Sequence, residues 1–213
     1  RNRAVNDEQE VRLAWEQHVG RSPEADRWLQ SVVARHREPH RHYHTLRHVC
    51  WVLRHVATLA GKGLTRDLGA VVAAACFHDV IYDPTAGDNE AASATLAAEA
   101  LGEIGWAPAR TAAVAAMIQA TAGHEQQADR DTAVLLAADL GVLASDPAAY
   151  GDYVRGVRRE YSHVDDEAWR AGRAAVLRSF LDRAAIYDPA LGLGAWERRA
   201  RANLTAELVS LGG

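Results

Sequence analysis

Cysteine and long apolar runs are both scarce in this sequence. The two cysteines, Cys50 and Cys76, are too few for the disulfide framework of a small secreted protein and lack the CxxC spacing of a zinc ribbon. The longest apolar run, around residues 68–77, is too short to span a bilayer, and the first residues form no apolar signal-peptide core. We therefore expect a cytoplasmic protein without a membrane partner.

An excess of positive charge is missing as well. The formal net charge is -4 at pH 7 and the sequence pI is about 6.2, so the chain has no overall field that would attract nucleic acid. We expect no nucleic-acid polymer among its partners. The 213 residues, 48% hydrophobic and 24% charged, suit one globular domain over residues 1–213.

The sequence also lacks the period-two pattern of strands, whereas apolar residues recur at intervals of three and four almost throughout. This periodicity predicts an all-α bundle of nine or ten helices. Ser22-Pro23-Glu24 predicts a helix start, and Gly61-Lys62-Gly63 predicts the end of the next helix. Further helices are predicted over residues 65–81, 89–102, 107–122, 130–143, 147–161, 165–185 and 194–210.

Polar side chains with metal-binding ability lie on three of these apolar segments. His78 and Asp79 close the run that begins near residue 68, and Asp139 lies alone inside another apolar run. His44 and His48 are four residues apart and would share a face if that segment is helical. A buried carboxylate needs a partner or a metal, and histidine nitrogen with carboxylate oxygen suits transition ions. For a lone Asp139 a salt bridge is the simpler interpretation, but the set favours a metal site.

The order of these residues carries a resemblance to a known family. His48, then His78-Asp79, then Asp139 resembles the His…His-Asp…Asp metal signature of the HD superfamily of phosphohydrolases, which are all-helical. The wider sequence resembles the predicted metal-dependent HD phosphohydrolase subfamily over nearly the whole chain, through residues 41–48, 77–83, 88–93, 118–124, 138–140 and 158–161. The resemblance implies an HD-type fold in which His48, His78, Asp79 and Asp139 hold a metal.

The chain departs from the family pattern at one point. Dinuclear HD proteins usually place two further histidines between the His-Asp pair and the final aspartate, and only His124 lies in that interval here. We therefore expect one divalent ion, which can be Zn, Fe, Mn, Co or Ni, with Mg also possible. A second ion would have to recruit His124, Glu90 or His44.

A metal-activated water that cleaves a phosphate ester of a small metabolite or nucleotide is the predicted chemistry. Asp79 belongs to the catalytic set, and the loop that follows it supplies the general acid or base, with Glu90 the first choice and Asp83 the second. In the same loop, Asp88 and Asn89 can instead cap the next helix. The predicted phosphate-binding residues are His44, Arg47, His124 and Asn89.

Two other functions remain open at this stage. Some HD proteins use two irons and oxygen for oxidative cleavage, although the scarcity of histidines before Asp139 argues against that chemistry here. A non-catalytic module with a metal-stabilised pocket is the other alternative. The expected partner is a small phosphorylated substrate, and the apolar residues of segment 107–122 could supply a homodimer face.

Overall fold

The structure, a computed structural model, describes residues 2–212, with side chains from residue 7 onwards. Within that part of the chain it contains ten α-helices, two 3-10 helices and no strand, which confirms the predicted all-α class. The helices are α1 Asn2–His18, α2 Pro23–Arg35, α3 Leu46–Ala60, α4 Leu68–Phe77, α5 Asn89–Ile104, α6 Pro108–Ala120, α7 Arg130–Asp139, α8 Pro147–Glu160, α9 Asp166–Leu181 and α10 Gly194–Ser210. They form two compact units, one up to Asp139 and one from Leu140 onwards.

Helix α4 is the central element of the N-terminal unit. All its residues from Ala70 to Phe77 are buried, and it packs against α1, α3, α5, α6 and α7. A helix that is apolar all round has no face for solvent, so it becomes the core around which the others pack. Phe77 contacts Trp15 of α1, with ring centroids 5.6 Å apart. This packing fixes the position of whatever follows Phe77.

The predicted helix over residues 65–81 is wrong at its C-terminal end, because α4 stops at Phe77. The His78 backbone still donates to Ala74, but Val80 donates to Phe77, which marks a tighter turn. The carbonyls of Asp79 and Val80 accept hydrogen bonds from the Arg41 guanidinium, at 2.7 and 3.0 Å. The Ile81 N–H, which would donate to Phe77 in a continuing helix, donates to Ser93 Oγ at 3.0 Å instead, so the His-Asp pair lies in a turn.

The expectation that His44 and His48 share a helical face is also wrong. Thr45 has an extended backbone and precedes the first residue of α3, so His44 lies in the preceding loop. The two imidazoles are nevertheless neighbours, with ring centroids 5.7 Å apart. The predicted starts and ends near Ser22 and Gly61 are confirmed, and Ser22 accepts a hydrogen bond from the Ala25 backbone.

The C-terminal unit contains α8, α9, α10 and two 3-10 helices, Leu140–Ala144 and Pro189–Leu191. The predicted helix over 130–143 changes to 3-10 geometry after Asp139, and the one over 165–185 ends at Leu181. No single helix of the described chain is long and apolar enough to cross a membrane. One bent pair of helical segments, Arg130–Ala144 with Pro147–Glu160, is long and apolar enough when the two are taken together, by length and composition alone.

Candidate metal centre

Four of the predicted metal ligands converge in the N-terminal unit. His48 lies in the first turn of α3, His78 and Asp79 follow α4, and Asp139 is the last residue of α7. Each of His48, His78 and Asp139 offers one ligand atom within 4.8 Å of the others. Asp79 Oδ2 lies 3.3 Å from His48 Nε2 and 2.9 Å from His78 Nε2. We call these four side chains the ligand cluster.

The remaining distances within the ligand cluster match those around a bound ion. His48 Nε2 lies 3.1 Å from His78 Nε2, and Asp139 Oδ1 lies 3.1 and 3.5 Å from the same two nitrogens. Ligand atoms held about 2.1 Å from a transition ion stand about 3.0 Å apart in octahedral and about 3.4 Å apart in tetrahedral geometry. The residues therefore fit a metal ion at this position.

The hydrogen bonds of His78 and His48 also favour a cation. His78 Nδ1 lies 2.9 Å from the Ala75 carbonyl and donates to it, so Nε2 of the neutral ring presents a lone pair to the cluster. His48 Nδ1 is buried and has no hydrogen-bond partner among the described residues. A single proton on His48 Nε2 cannot satisfy His78 and two carboxylates at once. One positive ion can satisfy all of them.

The electrostatics of the ligand cluster agree with this interpretation. Burial alone would raise the pKa of Asp79 and of Asp139, but the neighbouring imidazoles outweigh it and hold both pKa values well below their usual range. Burial alone would lower the pKa of His48 and of His78, but the two carboxylates outweigh it and raise both. The site thus favours two added positive charges, which either two protons or one divalent ion can supply.

His124 joins the site from the loop after α6. Its Nε2 lies 2.6 Å from Asp139 Oδ2, while Oδ1 of the same carboxylate faces the two ligand histidines. A histidine in this place fixes the orientation of a ligating carboxylate. Its backbone has φ 47°, which is unusual for a residue other than glycine. The structure therefore brings His124 to the centre as a neighbour of a ligand.

Aromatic rings cover one side of the centre. His44 stacks on Tyr82 with ring centroids 4.2 Å apart, and Tyr43 lies 4.8 Å from the ring of His48. Sequence reasoning named His44 as a substrate-binding residue but overlooked Tyr43 and Tyr82. Their only sequence signal is that each lies within five residues of a ligand.

Arg41 lies in the patterned segment 41–48, but its role is visible only in the contacts. Its side chain is fully buried, and besides the carbonyls of Asp79 and Val80 its guanidinium reaches the carbonyl of His44 at 3.1 Å. Nε donates to Glu38 at 3.0 Å. Arg41 thus joins the loop before α3 to the turn after α4 and sets their relative positions.

The loop after the His-Asp turn is organised by its own side chains. Asn89 accepts from the Asp83 backbone N–H at 3.0 Å and donates to the Asp83 carbonyl at 2.8 Å. The Asp83 carboxylate accepts two bonds from Thr85. Glu90 lies in the first turn of α5 and is half-buried, whereas Asp88 makes no capping bond with its side chain. Asn89 therefore closes the loop.

Arg47, the predicted phosphate ligand, and three arginines of the C-terminal unit lie outside the ligand cluster. Arg47 is exposed, and it lines a cavity whose lining residues include no member of the ligand cluster. In the C-terminal unit, Arg158 bonds to Asp166, Arg173 to Glu207 and Arg201 to Glu197. These three pairs stabilise the local structure of the C-terminal unit.

Comparison with known proteins adds no family to this geometry. A scan against protein-family models matched none, and searches of curated proteins and of solved structures found no match. The assignment of a class to this chain therefore depends on the ligand cluster and on its order in the sequence.

Proposed function

We propose that this chain is a metal-dependent phosphohydrolase of the HD type that cleaves a phosphate ester of a small metabolite or nucleotide. The observation that carries the proposal is the convergence of the ligand cluster from three separate segments, in the order histidine, histidine-aspartate, aspartate. Two imidazoles and two carboxylates suit a divalent zinc, iron, manganese, cobalt or nickel ion. The resemblance in motif order supports the reaction class.

The chain's own residues divide the work of hydrolysis. His48, His78, Asp79 and Asp139 would hold a divalent ion, which would supply a water of lowered pKa and a Lewis acid for the phosphate ester. The Ala75 carbonyl orients His78, and His124 orients Asp139, so two ligands are held before substrate arrives. Glu90, half-buried at the start of α5, is the group that would take a proton from the attacking water and return it to the leaving oxygen.

The metal content of the chain tests the first half of this proposal. Elemental mass spectrometry is performed on protein purified without chelator or affinity metal, for the wild type and for Asp79→Asn. We expect about one ion per wild-type chain and a loss in the variant, because replacing a ligating carboxylate weakens binding strongly. Asp131→Asn is the matched control, since Asp131 is a buried carboxylate that accepts backbone bonds from Arg66 and Asp67.

Turnover tests the second half. Phosphate release is measured over a panel of phosphomonoesters and phosphodiesters. We expect Asp79→Asn to be inactive and Glu90→Gln to lose about two orders of magnitude in kcat while keeping its metal. Asp88→Asn serves as the neighbouring control, because Asp88 is an exposed carboxylate of the same loop and makes no capping bond with its side chain. Full turnover in Asp79→Asn refutes the hydrolase, whereas two irons per chain with oxygen consumption would identify the oxygenase alternative.

A further inference from the structure

An apolar groove of the C-terminal unit lies between α8 and α9. It has a volume of about 430 Å³, and its walls come from the end of α8, the turn after it and α9. Most of its lining side chains are aromatic or aliphatic, including Tyr161, Val164, Trp169 and Val176. Val176 is 45% exposed. The single chain therefore leaves a group of apolar side chains in contact with water here.

The outward face of α9 continues this apolar surface. Ala171, Gly172, Ala175 and Val176 are exposed and recur at intervals of three and four residues, so they share one side of the helix, opposite the buried Leu177. Small side chains at a helix surface let a second helix approach closely. This side of α9 therefore has the shape of a helix-packing surface.

Exposed small residues alone do not identify an interface. Helix α6 also exposes Ala112, Ala113 and Ala116, but its larger apolar residues are buried in the N-terminal unit, and none of the exposed large apolar side chains of the described chain lies on it. Helix α9 differs, because an exposed valine and the groove lie on the same side as its small residues. Covering this side removes apolar area from water, which favours association.

Two exposed charges at opposite ends of α9 indicate which partner fits. Glu167 lies in the first turn and Arg178 in the last. They are eleven residues apart, close to three full turns, so both lie along the same edge of the outward face. Neither forms an ion pair with another described residue. When a second α9 packs antiparallel on the first, each Glu167 meets the Arg178 of the other copy.

The apolar residues agree with the same alignment. Trp169 and Val176 are seven residues apart, close to two turns of helix, and both line the groove. Their midpoint coincides with that of Glu167 and Arg178. Two antiparallel helices centred on this midpoint therefore place the exposed Val176 of one copy against the Trp169 of the other, while both ion pairs form. A two-fold dimer requires a surface that matches itself in this way.

We propose that this chain forms a two-fold dimer in which α9 packs antiparallel on the α9 of a second copy. Val176 of each copy enters the groove of the other, and two pairs of Glu167 with Arg178 close the rim. One helix pair covers less than the roughly 1,600 Å² of a standard interface, so the dimer dissociates on dilution. The inference does not depend on the proposed hydrolase function, because the ligand cluster belongs to the N-terminal unit.

Sedimentation velocity of the full chain over a concentration series tests this inference. We expect the wild type to shift from the 23.1 kDa of one chain towards twice that mass as its concentration rises. Gly172→Arg should stay monomeric, because it places a charge from each copy inside the apolar contact. A Cβ added at Gly172 meets no atom within 4 Å, so the variant should fold, which circular dichroism checks. Gly102→Arg, at another exposed glycine with the same free space, should dimerise like the wild type.

Charge reversal tests the alignment of the two helices. Glu167→Arg and Arg178→Glu should each weaken the dimer about tenfold, because each creates two pairs of like charges at the rim. An equimolar mixture of the two variants should dimerise as tightly as the wild type, since every arginine then meets a glutamate. Glu99→Arg, an exposed reversal in the N-terminal unit, should have no effect.

Two results would overturn the proposal. One is a wild type that stays monomeric up to about 1 mM, which would leave the groove to a helix of a different protein. The other is a mixture of the two reversed variants that dimerises no more tightly than either variant alone, because the ion pairs would then not set the alignment.

Discussion

Each of the two units buries a cluster of charged side chains, and the two clusters differ in how their hydrogen bonds are completed. In the C-terminal unit, Arg173 donates to both oxygens of Glu207, at 2.8 and 3.0 Å, and Tyr150 donates to the same carboxylate. Arg173 also donates to the Tyr153 hydroxyl at 3.0 Å. One positive and one negative charge cancel, and donors meet acceptors. We call this set the arginine–glutamate pair.

The ligand cluster of the N-terminal unit has no such balance. With neutral imidazoles, His78 Nε2 and two carboxylates all present acceptors to the same small volume. The neighbouring groups shift all four pKa values toward the charged forms, so the aspartates stay negative and the histidines favour added positive charge. Burial of charge is common to both clusters and therefore does not identify a site. The surplus of acceptors distinguishes the ligand cluster, because added positive charge, from protons or from a divalent ion, completes it.

Breaking the arginine–glutamate pair should produce the largest loss of stability. Arg173→Ala leaves the Glu207 carboxylate, 7% exposed, buried without its counter-charge, which costs about 3–5 kcal/mol. Urea unfolding followed by circular dichroism measures this loss. Metal content should stay as in the wild type, because the variant does not touch the ligand cluster. The double variant Arg173→Met with Glu207→Leu should recover much of the stability, since it removes both charges.

Metal removal should produce the next largest effect, and in the other unit. An ion that binds only the folded chain stabilises it by about 2.7 kcal/mol when its concentration is a hundredfold above Kd. Unfolding of the wild type with metal and with chelator should show this difference. Asp139→Asn should abolish the difference, whereas Arg173→Met with Glu207→Leu should preserve it. If the free energy of unfolding of the wild type is the same with metal and with chelator, the ligand cluster is a structural charge cluster like the arginine–glutamate pair.

The sequence was sufficient to predict the all-α class and to select the polar side chains that the structure brings together in the ligand cluster. Helix periodicity is a local property, and the confirmed signals at Ser22 and Gly61 are local as well. The ligands could be found because histidine and aspartate are rare in apolar runs, so His78, Asp79 and Asp139 are conspicuous there. A polar side chain at a position where the helix pattern predicts an apolar one is informative, because burying a polar or charged group costs free energy unless it has a partner.

Contacts between distant segments could not be predicted in the same way. Arg41 is one of many arginines in the sequence, and only the fold shows that it bonds to the carbonyls of Asp79 and Val80. The end of α4 also depends on a distant residue, because the Ile81 N–H donates to Ser93 Oγ and not to Phe77. Such long-range partners leave no periodic signal, so the predicted helix end was misplaced.

His36 differs from both charged clusters because it is a buried histidine that is neutral at physiological pH. Its pKa of about 3 lies below the unfolded value near 6.5, so below that value the unfolded chain binds a proton that the folded chain does not. The free energy of unfolding should therefore decrease as the pH is lowered. From this residue alone, the decrease between about pH 7.5 and 5.5 is about 1.4 kcal/mol. Urea unfolding of the wild type and of His36→Leu at both pH values isolates this contribution. His163→Leu, at an exposed position, is the control, and equal pH slopes in all three proteins would refute the assignment.

An exposed ion pair should give the smallest effect and show that burial sets the scale. Arg155 and Asp152 pair across one turn of α8, but their side chains are 70% and 61% exposed. Water and salt screen such a pair, so Arg155→Gln should cost at most about 0.5 kcal/mol in urea unfolding. Arg173→Ala, measured in the same unit of the chain, should cost several times more for the loss of the same charge. Equal losses in the free energy of unfolding for the two variants would mean that burial and completed hydrogen bonds do not set the strength of the arginine–glutamate pair. The contrast between that pair and the ligand cluster would then have no physical basis.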